Sequence, residues 1–178
     1  MEDRVVISVC RELVQHGLGV CRFNFRGRGF TASSDRRDTL SLCKWLLDRG
    51  DVGGCTLHVS SIILVGYSYG ALVAGSVADE LAAIVGVATI SYPYSVSWAL
   101  ALWNANGMWE ALRQSRKPKL WCVGTNDDFT GIGQSEKAFG ALCEPKEEAR
   151  FEGADHFYGG RQVGALARRV AAWASGLA

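Results

Sequence analysis

Three residues of this sequence have side chains that together could carry out nucleophilic acyl chemistry. Ser68 lies at the centre of a Gly-x-Ser-x-Gly pattern, Asp127 follows a short apolar run, and His156 follows a second such run late in the chain. A serine hydroxyl is a weak nucleophile at its own pKa, so it needs an imidazole to accept its proton and a carboxylate to orient that imidazole. The pattern therefore predicts a serine nucleophile, a histidine base and an aspartate acid.

The residues on both sides of Ser68 favour a nucleophile elbow over a plain tight turn in a glycine-rich chain. The four apolar residues 62–65 predict a buried parallel strand, and the Ala- and Val-rich segment after Gly70 predicts a helix. Such a strand-to-helix turn holds the serine in a strained conformation with its hydroxyl exposed, and the N–H groups that begin the helix face it. We expect a side chain at Gly66 or Gly70 to collide with the neighbouring strand or helix.

The acid and the base each have competitors of the same residue type. Asp128 adjoins Asp127, and one of the two is expected to face solvent or to cap the following segment. The same acidic run suggests a calcium site as an alternative, but it lacks the alternating ligands and the final glutamate of an EF-hand loop. His156 follows a strand late in the chain, unlike His16 and His58. The alternative for His156 is a loop histidine whose side chain forms a hydrogen bond with the backbone.

The composition indicates a single globular domain over residues 1–178 and argues against several classes of function. A net charge of +1, from 19 basic and 18 acidic residues, provides no field that would attract nucleic acid. No apolar run approaches the roughly 20 residues that cross a bilayer, so no membrane association is expected. The charged N-terminus lacks a signal-peptide core, and we expect a cytoplasmic protein.

The six cysteines predict neither a metal site nor a disulfide framework. They form no Cys-x-x-Cys pair, have no zinc-type spacing and lie mostly in apolar runs. We interpret them as small buried hydrophobic residues in a reducing compartment. No metal and no organic cofactor is implied.

Helices and strands are predicted to alternate along the whole chain. This alternation predicts an α/β fold, a three-layer α/β/α sandwich with a mainly parallel sheet. We predict strands at residues 19–25, 62–65, 84–90, 120–124 and 148–151, helices at 4–16, 39–47, 134–142 and 163–177, a helical segment at 95–113 with a break near Gly107, and a loop at 49–54. The first helix places Val5, Val6, Val9, Leu13 and Val14 on one face. In such a sheet the chemistry lies beyond the carboxyl ends of the strands, where all three candidates occur.

Four motifs make this chain resemble the α/β-hydrolase superfamily. Within it, the chain is similar to the small, capless group that includes dienelactone-hydrolase-like and serine-aminopeptidase-like enzymes. The order Ser, Asp, His is also the order of that superfamily. The resemblance extends over nearly the whole chain. Its four motifs are Arg-Phe-Asn-Phe-Arg-Gly-Arg-Gly at 22–29, Gly-Tyr-Ser-Tyr-Gly at 66–70, Gly-Thr-Asn-Asp at 124–127 and Gly-Ala-Asp-His-Phe at 153–157.

The resemblance implies a role for each matching residue. Ser68 would be the nucleophile and His156 the base. Asp127, rather than its neighbour, would be the acid, because it is the fourth residue from Gly124. The backbone N–H of Tyr69 would be one donor of the oxyanion hole.

The chain departs from the family pattern at its N-terminal end. Family members begin with strands that lead into a His-Pro-x-x-Gly-Gly or His-Gly loop, which supplies the second oxyanion donor. Here the first helix begins almost at Met1. The missing strand would lie between the strands at 20–25 and 62–65. We expect an N-terminally truncated form rather than direct pairing of those two strands, and loss of one oxyanion donor costs about 10²–10³ in rate.

These features predict a serine hydrolase that cleaves an ester or related acyl bond of a small molecule. Tyr67 and Trp98 are predicted to line the substrate site; their alternatives are filling space around the elbow and amphipathic core packing, respectively. The alternative function is a catalytically silent α/β-hydrolase-like scaffold or binding protein, and acyl transfer to an acceptor other than water is a further possibility. The substrate and the oligomeric state stay open.

Overall fold

We describe the fold from a computed structural model, which describes residues 3–26, 32–48, 51–52, 55–56 and 58–178. From Ile62 to Ser175 strands and helices alternate along the chain, as predicted, whereas two successive helices and two short strands precede Ile62. The helices are α1 (Arg4–Gln15), α2 (Ser33–Asp48), α3 (Tyr69–Ser76), α4 (Ser97–Ala101), α5 (Ala105–Gln114), α6 (Ile132–Ala141) and α7 (Gln162–Ser175). The strands are β1 (Asp51–Val52), β2 (Cys55–Thr56), β3 (Ile62–Tyr67), β4 (Ile84–Ile90), β5 (Lys119–Gly124) and β6 (Lys146–Phe151). Short 3₁₀ turns cover Tyr94–Val96 and Leu102–Asn104.

Four strands form one parallel sheet in the order β3-β4-β5-β6. Every residue of β5 is buried, as expected for a parallel strand with helices over both faces. The edge strand β6 has the more polar sequence Lys-Glu-Glu-Ala-Arg-Phe, and polar residues are common where a strand borders solvent. Strands β1 and β2 form a separate antiparallel pair.

The sheet lies between two helical layers, so the predicted three-layer α/β/α sandwich is confirmed. Helices α1 and α7 pack against each other on one face, where Val5 and Leu13 join Ile90 and Leu120 in one core. Helices α2, α3, α5 and α6 contribute to the core on the other face, around Trp121. Side chains alternate between the faces along a strand, which is why β3, β4 and β5 each contribute residues to both cores.

Residues 18–25 form no strand, which corrects the prediction for residues 19–25. Val20 and Phe23 are exposed rather than packed in a sheet. Val20 lines a groove of about 140 Å³ together with Val9 of α1 and Ile63 of β3. A strand needs hydrogen-bonded neighbours, and within the described residues β3 is paired only with β4. The segment and β3 therefore do not pair directly either.

Other predictions differ from the structure in detail. Val14 is 59% exposed, so the buried face of α1 is narrower than predicted. The break in the segment at 95–113 falls at the 3₁₀ turn Leu102–Asn104 and not at Gly107, which lies inside α5. The predicted loop at 49–54 contains β1, and its remaining residues lie outside the described part of the chain.

The cysteines are less uniformly buried than predicted. Cys43 and Cys122 are buried, and burial raises the pKa of the Cys122 thiol to about 12. Cys10 and Cys143 are half-buried and Cys21 is exposed, because the segment around Cys21 forms no strand. All five are free thiols.

In the part of the chain that the structure describes, every helix is too short or too polar to cross a bilayer.

Candidate active site

The turn between β3 and α3 holds Ser68 in a conformation that few non-glycine residues adopt. Its φ of 52° and ψ of −120° lie in a sparsely populated region, where backbone strain is stored at functional sites. The turn is fixed because the Ser68 N–H donates to the carbonyl of Ile90 at 2.9 Å. A Cβ placed on Gly66 would lie 2.3 Å from the carbonyl oxygen of Gly70, so only glycine fits there. This is the geometry expected of a nucleophile elbow.

Gly70 does not have the steric role that the motif suggested. A Cβ built on Gly70 meets no heavy atom within 4 Å. The close approach involves its backbone instead, since the carbonyl group of Gly70 is what a side chain at Gly66 would strike. The collision expected at both glycines therefore exists only at Gly66.

The loops after β5 and β6 are joined to each other by their backbones. The N–H of Asn126 donates to the carbonyl of Ala154 at 2.9 Å. Gly124 allows this contact, because a Cβ there would lie 2.3 Å from the same carbonyl oxygen. One loop carries Asp127 and the other carries His156, so the backbone contacts fix the acid and base candidates relative to each other.

The structure brings the three predicted side chains into one hydrogen-bonded row. The Oγ of Ser68 lies 2.9 Å from Nε2 of His156. The Nδ1 of His156 lies 2.9 Å from Oδ2 and 3.1 Å from Oδ1 of Asp127. Asp128 is exposed, whereas Asp127 is 3% exposed. The burial and the short contacts therefore distinguish Asp127 from Asp128 independently of its position as the fourth residue from Gly124.

The family described as alpha/beta hydrolase domain matches residues 1–170 of the chain. The match covers nearly the whole sequence and includes the loops of all three side chains. The chain belongs to this α/β-hydrolase family. No curated protein matches it in sequence.

Solved structures show the same fold at low sequence identity. An α/β serine hydrolase homologue from Coxiella burnetii is 24% identical, with a TM-score of 0.75; the alignment covers 96% of this chain and 77% of that one. The esterase domain of a Rhodothermus marinus protein is 21% identical, with a TM-score of 0.74 and coverage of 96% and 79%. A monoacylglycerol lipase from Paleococcus ferrophilus is 16% identical, with a TM-score of 0.75 and coverage of 96% and 88%.

The carboxylate of this α/β-hydrolase is held in its ionised form although it is buried. Burial alone would raise the pKa of Asp127, but hydrogen bonds from His156 and Ser91, the charge of His156 and the N–H of Phe129 together lower it below its usual value. The N–H groups of Phe129 and Thr130 donate to Oδ1 at 2.9 and 3.3 Å. An ionised Asp127 can stabilise a positive charge on the imidazole.

Three aromatic rings surround the imidazole of His156. The ring centroids of Phe129, Phe157 and Tyr67 lie 4.4, 5.4 and 5.5 Å from it. Sequence reasoning assigned no role to Phe129, which belongs to no motif; its position two residues after Asp127 was the only available signal. Trp98, predicted to line the substrate site, lies on α4 and is 68% exposed.

Tyr67 was predicted to bind substrate, and the structure gives its hydroxyl another partner. The hydroxyl donates to the backbone carbonyl of His156 at 3.1 Å. Burial raises the pKa of Tyr67, so the group remains a protonated donor at neutral pH. Its contact with substrate stays a prediction.

The predicted oxyanion donor, Tyr69, is the first residue of α3. The hydroxyl of Tyr69 donates to the carboxylate of Asp35, which is fully buried on α2. The ring of Phe25 packs edge-on against Tyr69 at 5.4 Å. These contacts fix the residue that follows Ser68, while the role of its N–H in catalysis stays a prediction.

Within residues that the structure describes, no group of three His, Cys, Asp or Glu side chains is placed to hold a metal ion.

Proposed function

We propose that this α/β-hydrolase is a serine hydrolase that cleaves an ester or related acyl bond of a small molecule. The observation that carries the proposal is the row of hydrogen bonds from Ser68 through His156 to Asp127, with donor–acceptor distances of 2.9 Å at both steps. The strained φ and ψ of Ser68 add to it, because strain of this kind clusters at functional sites.

In the proposed reaction Ser68 attacks the substrate carbonyl and forms an acyl-enzyme. His156 accepts the hydroxyl proton at Nε2 as the bond forms and then returns it to the leaving group. Asp127 keeps the Nδ1–H of the imidazole oriented and stabilises its positive charge. Water then attacks the acyl-enzyme while His156 accepts a proton from it. His156 returns that proton to the Oγ of Ser68 as the acid is released. The backbone N–H of Tyr69 is the proposed oxyanion donor.

A fluorophosphonate probe tests the proposal without knowledge of the substrate. We expect one adduct per chain, detected by intact mass and located at Ser68 by peptide mapping. The Ser68→Ala variant should remain unlabelled. Asp127→Asn should label far more slowly than the parent, while Asp128→Asn provides the matched control, because it removes the same charge from the exposed neighbour. Equal labelling of the parent and Ser68→Ala would contradict the proposal.

One observation favours a second candidate, a catalytically silent scaffold that binds a small molecule or protein. Residues 18–25 form no strand beside β3, so within the described residues the strand that leads to Ser68 is hydrogen-bonded to β4 alone. Absence of a fluorophosphonate adduct on the folded parent protein would support the scaffold.

A further inference from the structure

Two phenylalanine rings stand at the rim of the site and contact the proposed base. Phe129 is 42% exposed and Phe157 is 62% exposed, whereas His156, which contacts both rings, is 5% exposed. The ring centroids of Phe129 and Phe157 lie 6.4 Å apart with an interplanar angle of 87°, an edge-to-face arrangement. Both rings therefore contact the imidazole and keep part of their surface exposed.

The backbones of both phenylalanines are fixed, so the rings are presented at defined positions. The N–H of Phe129 donates to Asp127 at 2.9 Å, and the N–H of Phe157 donates to the Asp155 carboxylate at 3.0 Å. The next residue, Thr130, donates its hydroxyl to the carbonyl of Tyr92 at 3.1 Å. A surface held in this way can bind a ligand without first becoming ordered, which lowers the entropic cost of binding.

The position of this surface relates it to one part of the substrate. In acyl transfer the base must return its proton to the oxygen of the leaving group, so that oxygen must approach Nε2 of His156. The group attached to the oxygen then lies alongside the imidazole. The centroids of the Phe129 and Phe157 rings are 4.4 and 5.4 Å from the centroid of that imidazole.

From this geometry we infer that Phe129 and Phe157 form a leaving-group subsite for a neutral aromatic alcohol. The inference rests on the proposed hydrolase function and specifies its substrate class. Aromatic rings prefer offset or edge-to-face contacts with other rings, and both phenylalanines have exposed surface for such contacts. The exposed carboxylates of Asp128 and Asp155 adjoin the two rings in sequence and disfavour an anionic leaving group.

The test compares acetate esters that differ only in the alcohol. Benzyl acetate and ethyl acetate have leaving groups of similar basicity and give the same acetyl-enzyme. We expect a kcat/KM for benzyl acetate about 5- to 150-fold above that for ethyl acetate, because two aromatic contacts are gained. The ester of 4-carboxybenzyl alcohol should be a poorer substrate than benzyl acetate.

The variants Phe129→Leu and Phe157→Leu keep an apolar side chain but remove the ring. Each should lower the benzyl-to-ethyl ratio of kcat/KM about 2- to 12-fold. The ratio is taken within one variant, so a general loss of activity or folded protein cancels. Trp45→Leu is the matched control for loss of an exposed ring, since Trp45 lies on α2 and is 40% exposed.

Fluorophosphonate labelling of each variant separates the inference from the proposed function. Labelling at Ser68 with a benzyl-to-ethyl ratio near one, or with a ratio that neither phenylalanine variant changes, would overturn the aromatic subsite and leave the hydrolase intact. Absence of labelling in the folded parent would overturn the hydrolase and the subsite with it. A high ratio that falls in Phe129→Leu and Phe157→Leu but not in Trp45→Leu supports the subsite.

Discussion

The hydroxyl of Tyr67 donates a hydrogen bond to the backbone carbonyl of His156 across 3.1 Å. Tyr67 precedes the proposed nucleophile, and His156 is the proposed base, so this contact joins the end of β3 to the loop after β6. The two residues are 89 positions apart in the sequence. The bond therefore acts on the position of the imidazole and not on its chemistry.

Removal of this hydroxyl should loosen His156 without removing any reacting group. We expect Tyr67→Phe to lower the free energy of unfolding by about 1 kcal/mol, the typical value of one such bond, and to slow fluorophosphonate labelling about fivefold. Denaturant titration and labelling kinetics measure the two effects. Tyr94→Phe is the matched control, because it also removes one tyrosine hydroxyl but from a ring that packs against Trp109 instead of His156. Wild-type values for both quantities in Tyr67→Phe would show that the bond has no positioning role.

The two adjacent aspartates should differ strongly in their effect on reactivity. Asn in place of Asp127 cannot hold the charged imidazole in the same way, so Asp127→Asn should slow labelling on the order of 10⁴-fold. Asp128 is exposed, and Asp128→Asn should stay within about twofold of the parent. The labelling rate constants of the two variants give the comparison. Similar rates in both would remove Asp127 from the proposed mechanism.

Periodicity and apolar runs predicted the strands of the parallel sheet well, because these strands are covered on both faces. The same reasoning failed at residues 19–25, where Val20 and Phe23 suggested a strand. A strand exists only if its backbone groups find partners, and that depends on what lies beside it in space. At β6 the predicted strand was too short, because an edge strand can begin with polar residues, such as the exposed Glu147, that interrupt the apolar pattern.

The side chains of the site were partly predictable, and the limit has a physical cause. Ser68 and His156 lie in motifs whose spacing has chemical meaning. The resemblance favoured Asp127 over its neighbour only by position in a motif, whereas its burial and its 2.9 Å contact with His156 arise only when two loops meet. Ser91, with a φ of 47°, and Phe129 belong to no motif, so their contacts with the acid and the base appear only in three dimensions.

The two glycines of the elbow should tolerate alanine very differently. A Cβ on Gly66 would lie 2.3 Å from the carbonyl oxygen of Gly70. Gly66→Ala should therefore lower the free energy of unfolding by about 1–3 kcal/mol and slow the labelling of Ser68. Gly70 lies inside α3 with open space at its Cβ position, so Gly70→Ala should be neutral or stabilise by up to about 1 kcal/mol. Thermal and denaturant unfolding measure both. Equal losses would contradict the assignment of the close contact to Gly66.

Acid should destabilise the fold partly through Asp127, whose pKa is lowered in the folded protein by its hydrogen bonds despite its burial. An unfolded aspartate has a pKa of about 3.9, so above that pH both states carry the charge and the stabilising contribution is fully present. As the pH falls below about 4, the unfolded chain binds a proton first, and the contribution shrinks until it is lost below the folded pKa.

The free energy of unfolding should therefore decrease between pH 5 and pH 3 more steeply in the parent than in Asp127→Asn, which cannot titrate at this position. Urea titrations at several pH values measure both slopes, with Asp128→Asn as the matched removal of one charge. Each unit of difference between the folded and unfolded pKa corresponds to about 1.4 kcal/mol. Parallel slopes in the parent and Asp127→Asn would mean that the hydrogen bonds from His156 and Phe129 do not favour the ionised carboxylate, and the electrostatic part of the proposed mechanism would fail with them.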